Sequence, residues 1–149
     1  MKTKILFPTD FSRLSEAALT LATSIARDRH AELIILHVQE PPAAYAAGEL
    51  YFGPMEPDTE AIRQTLEQVR VSDPSVPCIH HLVMGDPAKE IVKCADEMHM
   101  DLIAMGSDST SGLRSLVRRS VSEKVIDHAR QPVLIVRSQH EGMLSQEAA

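Results

Sequence analysis

Tryptophan is absent from this 149-residue chain, and cysteine and aromatic residues are scarce. The two cysteines, Cys78 and Cys94, form no CxxC motif, which argues against a disulfide framework or a zinc site of the usual cysteine spacing. We expect both to be reduced, half-buried thiols. With Tyr45 and Tyr51 as the only tyrosines, the protein absorbs weakly at 280 nm.

Long apolar runs and an excess of basic residues are also missing. No run approaches the roughly 20 residues of a membrane-spanning helix, and the apolar stretch near the N-terminus is too short for a signal peptide. The chain has 15 Lys and Arg against 21 Asp and Glu, a net charge of −6. Nucleic acids and anionic membranes both favour a basic surface, so neither is expected as the main partner. The sequence therefore predicts a cytoplasmic protein.

The length and the hydrophobic content of 44% are those of one ordinary globular domain. We predict that this domain covers residues 1–138. Within it, the segment 40–56 is rich in proline, glycine and aromatic residues, which predicts a long loop, favoured as a mobile segment over the alternative of a functional lid. Residues 139–149 are polar and small, which predicts a flexible tail.

Strand and helix patterns alternate along the domain. Short apolar runs predict five strands, over residues 4–9, 31–38, 76–84, 102–105 and 132–136. Apolar residues at helical spacing predict four helices, over about 12–27, 58–71, 87–99 and 120–129. Pro77 favours an edge position for the third strand. The alternation predicts an α/β fold with a parallel sheet and right-handed crossovers.

The segment from 101 to 137 contains the main candidate site. A polar Gly/Ser/Thr loop follows the fourth strand, and Ser120 and Glu123 form an S-x-x-E capping box at the start of the last helix. A helix N-terminus carries outward N–H groups that suit a phosphate. Three arginines precede this helix: Arg114, Arg118 and Arg119. The alternative interpretation is an ordinary strand-to-helix connection with solvated arginines.

The sheet order decides whether this loop faces a second one. In parallel α/β sheets, ligands bind beyond the carboxyl ends of the strands, where the winding direction reverses. In the order 3-2-1-4-5 the reversal lies between the first and fourth strands. The loops over 9–12 and 106–120 would then face each other across one crevice. The hydrophobic pattern alone does not fix this order.

Several motifs along the chain together resemble the universal stress protein family. They are KILFPTDFS at the start, HV closing the second strand, GDPAKEIV after the third, and DLIAMGS followed by GLRSLVRRSVSEKVIDHARQPVLIVR. The resemblance spans residues 4–137. It implies a Rossmann-like, adenine nucleotide alpha hydrolase-like fold: a five-stranded parallel sheet in the order 3-2-1-4-5, with two helices on each face. It also implies frequent dimers and, in many members, bound ATP.

ATP-binding members of that family carry G-x2-G-x9-G-[ST] after the fourth strand. In this register Gly106 and Ser120 match, whereas Ser109 and Arg119 stand where the motif has glycines. Glycine allows positive φ and a close approach of backbone N–H groups to phosphate oxygens, and Arg119 adds bulk and charge instead. Gly112 keeps one more small residue in the loop. Nucleotide binding is therefore left open.

The resemblance implies a set of nucleotide-binding residues on both sides of the crevice. Asp10 would contact the adenosine part, Val38 would offer backbone atoms to the base, and the start of the last helix would donate to phosphate. The full set is Pro8, Thr9, Asp10, Val38, Met105, Gly106, Ser109, Gly112, Arg119, Ser120, Val121 and Ser122. Alternatively, Asp10 and Ser120 only cap their helices.

Three functions remain open. The leading hypothesis is a non-catalytic, dimeric stress-response regulator. The second is slow ATP hydrolysis or autophosphorylation on a serine near 107–111, against which stands the lack of a Walker A lysine or a nucleophile elbow. The third is a pure interaction module. The last strand would lie at an edge and pair with another chain, as the resemblance also implies for the dimer, through Val133, Leu134, Ile135 and Val136.

We expect no metal site beyond a Mg²⁺ carried by a bound nucleotide. His80 and His81 are neighbours on a strand, so their side chains point to opposite faces. Cys78 and His80 share a face, but two ligands do not make a site.

Overall fold

The computed structural model describes residues 1–41, 58–107 and 120–137. The strands are β1 (Lys4–Pro8), β2 (Glu32–Gln39), β3 (Cys78–Met84), β4 (Leu102–Gly106) and β5 (Val133–Val136). The helices are α1 (Arg13–Arg29), α2 (Thr59–Glu67), α3 (Pro87–Glu97) and α4 (Val121–His128). Residues 42–56 of the predicted loop and the predicted tail lie outside the described residues.

The strands form one parallel sheet in the order β3-β2-β1-β4-β5. This confirms the predicted order and the edge position of the third strand. The prediction that this strand begins at residue 76 is wrong. Val76 donates its N–H to the Asp73 carbonyl within a turn, and the ladder with β2 begins at Cys78.

The sheet is covered on both faces, as a parallel sheet with nearly continuous apolar strands requires. Side chains alternate along β1, so that Phe7 packs on one face and Leu6 on the other, both fully buried. Helices α1 and α2 cover the Phe7 face, while α3 and α4 cover the Leu6 face. Helix α2 has a thin apolar stripe, with Leu66 its one buried residue, and it ends at Glu67, four residues before its predicted end.

Each described helix begins at a side-chain cap. Ser12, Asp58, Asp86 and Ser120 accept hydrogen bonds from the backbone N–H three residues further on. The cap at Asp86 with Pro87 at the first helical position confirms the predicted start of α3. Its predicted end at residue 99 is two residues too late. The chain leaves the helix at Met98 and takes a left-handed conformation at His99 before β4.

Candidate binding site at the carboxyl ends of the strands

The carboxyl ends of β1 and β4 lie side by side. Ile5 pairs with Leu102 and Leu6 with Ile103, in parallel register. Beyond these ends the chain turns from β1 into α1 on one face, and from β4 towards α4 on the other. This reversal is where α/β sheets hold their ligands. A cavity of about 440 Å³ opens at this point.

The cavity brings together seven of the twelve residues that the sequence predicts for nucleotide binding. They are Pro8, Thr9, Asp10, Val38, Met105, Gly106 and Val121. Ser120 and Ser122 flank Val121 without lining the cavity, and their hydroxyl oxygens are 3.0 Å apart. The other three, Ser109, Gly112 and Arg119, lie outside the described residues, as do Arg114 and Arg118.

Asp10 holds the turn between β1 and α1. Its Oδ1 accepts hydrogen bonds from the Ser12 N–H (3.0 Å) and the Ser15 hydroxyl (2.8 Å). Phe11, between them, has a φ of 66°, and its N–H donates to the Thr9 hydroxyl at 3.0 Å. The N-cap of α1 is Ser12, so Asp10 orders the preceding turn rather than capping the helix.

The surroundings of Asp10 favour its charged form. Partial burial raises the pKa of the carboxyl, but the hydrogen bonds from Ser12 and Ser15 outweigh it and hold the pKa below its ordinary value. The carboxylate is therefore ionised at neutral pH. A carboxylate only accepts hydrogen bonds and repels phosphate, so it suits a hydroxyl or an N–H of a ligand.

The opposite side of the cavity is the start of α4. Ser120 is extended (φ −63°, ψ 156°), and its Oγ accepts from the Glu123 N–H at 3.2 Å, which is the serine half of the predicted capping box. The N–H groups of Val121 and Ser122 belong to the first turn, where no intrahelical acceptor exists. This side of the cavity therefore carries donors and the positive end of a helix dipole.

Gly106 is needed for packing. A Cβ at this position would lie 3.2 Å from the backbone carbon and oxygen of Leu14, in the first turn of α1. Its φ is not positive; of the described glycines, Gly85 alone has one, at 151°. The first glycine of the loop therefore lets β4 approach α1, which brings the two sides of the cavity together.

The polar cavity residues that sequence reasoning missed include His37 and Gln39. His37 stacks on Phe11 with ring centroids 4.3 Å apart, and its Nδ1 lies 2.8 Å from the Thr9 carbonyl oxygen. Gln39 ends β2 and is buried. In the sequence, both residues interrupt the otherwise apolar run LIILHVQ. Buried polar residues are uncommon without a partner, so this interruption is the pattern that could have revealed them.

A second cavity of about 460 Å³ lies between α1 and α2. Thr65, Gln68 and Arg70 line it beside Leu19. Its volume does not distinguish it from the first. Its lining does. It shares Thr9, Ser12 and Ser15 with the first cavity, but none of the described residues of β4 or α4 lines it, so it does not span the reversal point of the sheet.

The described residues contain no group of three or more His, Cys, Asp or Glu side chains able to hold a metal. His80 is half-buried with its Nε2 2.7 Å from the Val69 carbonyl oxygen, while His81 is exposed on the opposite face, as predicted. Both cysteines are free thiols, Cys94 being more buried than expected. Burial raises the pKa of each thiol, so both are protonated at neutral pH.

The comparison with protein families decides what this fold is. The model of the universal stress protein family matches residues 1–137. The chain belongs to the universal stress protein family. This confirms the resemblance seen in the sequence motifs. Within the described residues, no helix has the length and apolar character needed to cross a membrane.

Individual universal stress proteins are similar over most of their length. Universal stress protein MJ0577 of Methanocaldococcus jannaschii is 30% identical, over 92% of this chain and 96% of its own. Its solved structure has a TM-score of 0.69 at 29% identity, covering 95% and 99% of the two chains. Universal stress protein YxiE of Bacillus subtilis is 32% identical over 92% of this chain and all of its own. A universal stress protein solved in complex with cAMP has a TM-score of 0.65 at 25% identity, covering 93% and 98%.

Proposed function

We propose that this universal stress protein binds an adenine nucleotide in the cavity between the ends of β1 and β4, as a non-catalytic, cytoplasmic regulator. The observation that carries the proposal is the cavity itself, which has an ionised Asp10 on one side and the start of α4 on the other. The related protein in complex with cAMP supports an adenine nucleotide as the ligand class.

The chemistry of the two sides orients the nucleotide. Phosphate oxygens would accept from the N–H groups of Val121 and Ser122, with the Ser120 hydroxyl beside them. The ribose hydroxyls would donate to Asp10, which repels phosphate. The base would then lie towards the end of β2, against Val38, which also lines the cavity.

Binding can be tested on the purified protein with ATP, AMP and cAMP. Because the protein has no tryptophan and only two tyrosines, a co-purified nucleotide would dominate the spectrum near 260 nm. We expect at least one of these nucleotides to raise the thermal midpoint in a saturable way. No excess absorbance near 260 nm and no thermal shift at millimolar nucleotide would contradict the proposal.

We also propose that the protein dimerises through β5, which is an edge strand of four apolar, half-buried residues. The carbonyls of Pro132 and Val136 accept from β4, so in a parallel ladder the N–H groups of Val133 and Ile135 face outward. Such an exposed row can pair with a second copy.

Removing one outward N–H tests this interface. Val133→Pro eliminates a donor at the first position of an edge strand, where proline is tolerated, and Val133→Ala keeps the donor as a matched control. Analytical ultracentrifugation should show a dimer for the wild type and the alanine variant, and a monomer for the proline variant. A monomeric wild type at micromolar concentration would contradict the proposal.

A further inference from the structure

One buried donor beside the cavity has no partner among the described residues. Gln39 is the last residue of β2, lines the cavity, and is 4% exposed. Its backbone carbonyl accepts from the Gly85 N–H at 3.0 Å. Its side-chain Nε2 has no hydrogen-bond acceptor among residues 1–41, 58–107 and 120–137.

Buried polar atoms without partners are rare in native proteins, so each one calls for an explanation. The described residues hold two such side-chain atoms, Gln39 Nε2 and Gln131 Oε1. The amide of Gln131 is already engaged, since its Nε2 donates to Asp96 Oδ1 at 3.1 Å, and Gln131 does not line the cavity. Gln39 therefore combines an unused donor with a place in the candidate site.

We propose that Gln39 is a specificity residue, whose Nε2 donates a hydrogen bond to a ring nitrogen of a bound purine base. This inference rests on the proposed function, which orients the base towards Val38, the residue next to Gln39. Adenine offers N1, N3 and N7 as acceptors, and a glutamine amide is well suited to the edge of this base. A turn of the amide towards the cavity would let the ligand satisfy the donor that the described residues leave unpaired.

The proposed role predicts that a substitution at Gln39 weakens nucleotide binding without lowering the stability of the protein. Gln39→Met keeps the length of the side chain and removes its donor. Since an unsatisfied polar group is lost, the ligand-free variant should unfold at the same or a higher temperature than the wild type. Its affinity for AMP should fall by about 3- to 10-fold, the effect of one neutral hydrogen bond. A glutamine with a purely structural role would instead lower the unfolding temperature and leave the affinity unchanged.

Nucleotide analogues identify the acceptor. The 1-deaza, 3-deaza and 7-deaza analogues of AMP each replace one ring nitrogen by carbon, and calorimetric titration measures the affinity for each. For one analogue, wild-type affinity should fall by the same factor that Gln39→Met loses with AMP, and the variant should lose nothing further. Gln39→Leu, a second side chain of similar volume without a donor, should reproduce the loss. Gln131→Met, outside the cavity, should bind AMP as the wild type does.

Each outcome of these titrations supports or overturns the role of Gln39. If Gln39→Met and Gln39→Leu bind AMP as tightly as the wild type, or no analogue shows the coupling, the role of Gln39 is overturned while the proposed function stands. If the wild-type protein binds no adenine nucleotide, both are overturned. Should Gln39→Met fail to fold, Gln39→Leu with the three analogues gives the same reading.

Discussion

Within the described residues, the two sides of the cavity differ in how far the chain itself satisfies their polar groups. At the end of β1, the carboxylate of Asp10 is already bound by Ser12 and Ser15, all within six residues of chain. At the start of α4, the Ser120 hydroxyl satisfies one N–H, and the helix geometry leaves those of Val121 and Ser122 without an intrahelical acceptor.

This difference indicates that the two sides suit different groups of a ligand. The β1 side is a preformed turn whose charge repels anions and whose geometry does not depend on a ligand. The α4 side carries donors that a phosphate can satisfy. An adenine nucleotide has both kinds of group, hydroxyls at one end and phosphate at the other, so each side can be tested separately.

The largest effect is expected from a substitution at Gly106 that pushes β4 away from α1 and so moves the two sides of the cavity apart. A Cβ at position 106 would lie only 3.2 Å from the backbone of Leu14, and valine adds two methyl groups to it, so Gly106→Val should lower the free energy of unfolding by about 2–3 kcal/mol, through overpacking. Gly106→Ala should lower it by about 1 kcal/mol. Urea denaturation measures both. Ser107→Ala, at the next position, should stay within about 0.5 kcal/mol of the wild type. Equal stability of the valine variant and the wild type would contradict the packing role of Gly106.

A change at Ser120 distinguishes the helix cap from the ligand site. Ser120→Ala removes the acceptor of the Glu123 N–H and should lower the free energy of unfolding by about 1 kcal/mol. Ser120→Asp keeps a good cap and should stay within about 0.5 kcal/mol of the wild type. Its carboxylate repels phosphate, so the nucleotide-induced thermal shift should disappear. A shift that survives in Ser120→Asp would show that phosphate does not bind at this helix start.

The smallest effect is expected on the β1 side, in the decrease of the free energy of unfolding at acidic pH. The pKa of Asp10 is lowered in the folded protein, so its stabilising contribution is present above the ordinary carboxyl pKa near 3.9 and is lost as pH falls through the lowered value. Asp10→Asn should therefore flatten the dependence of unfolding free energy on pH below about pH 4. Ser15→Ala, which removes one donor to Asp10, should flatten it in part. If the unfolding free energy of Asp10→Asn depends on pH below about pH 4 as that of the wild type does, this account of the turn is contradicted.

Sequence reasoning reached most of the fold because the relevant signals are local. The buried run of β1 and the Asp86-Pro87 start of α3 need only neighbouring residues to be recognised. The beginning of β3 and the end of α3 were placed two residues wrong, since both depend on where the sheet ladder begins and how the chain turns into it. The strand order needed the family resemblance.

The site was predicted less completely, because its contacts join distant segments. The packing reason for Gly106 depends on Leu14, 92 positions earlier. The bond from Ser15 to Asp10 depends on a left-handed Phe11, a conformation that phenylalanine seldom adopts. Gln39 resembles an ordinary strand end until the register of β2 gives it a place in the cavity wall.

Amide chemical shifts during a titration with AMP test the central claim most directly. If the nucleotide lies between the two sides, the N–H signals of Val121 and Ser122 and of the turn at Asp10 should shift together and saturate at one AMP per chain. Shifts confined to Thr65, Gln68 and Arg70, in the cavity between α1 and α2, or none at millimolar AMP, would contradict it.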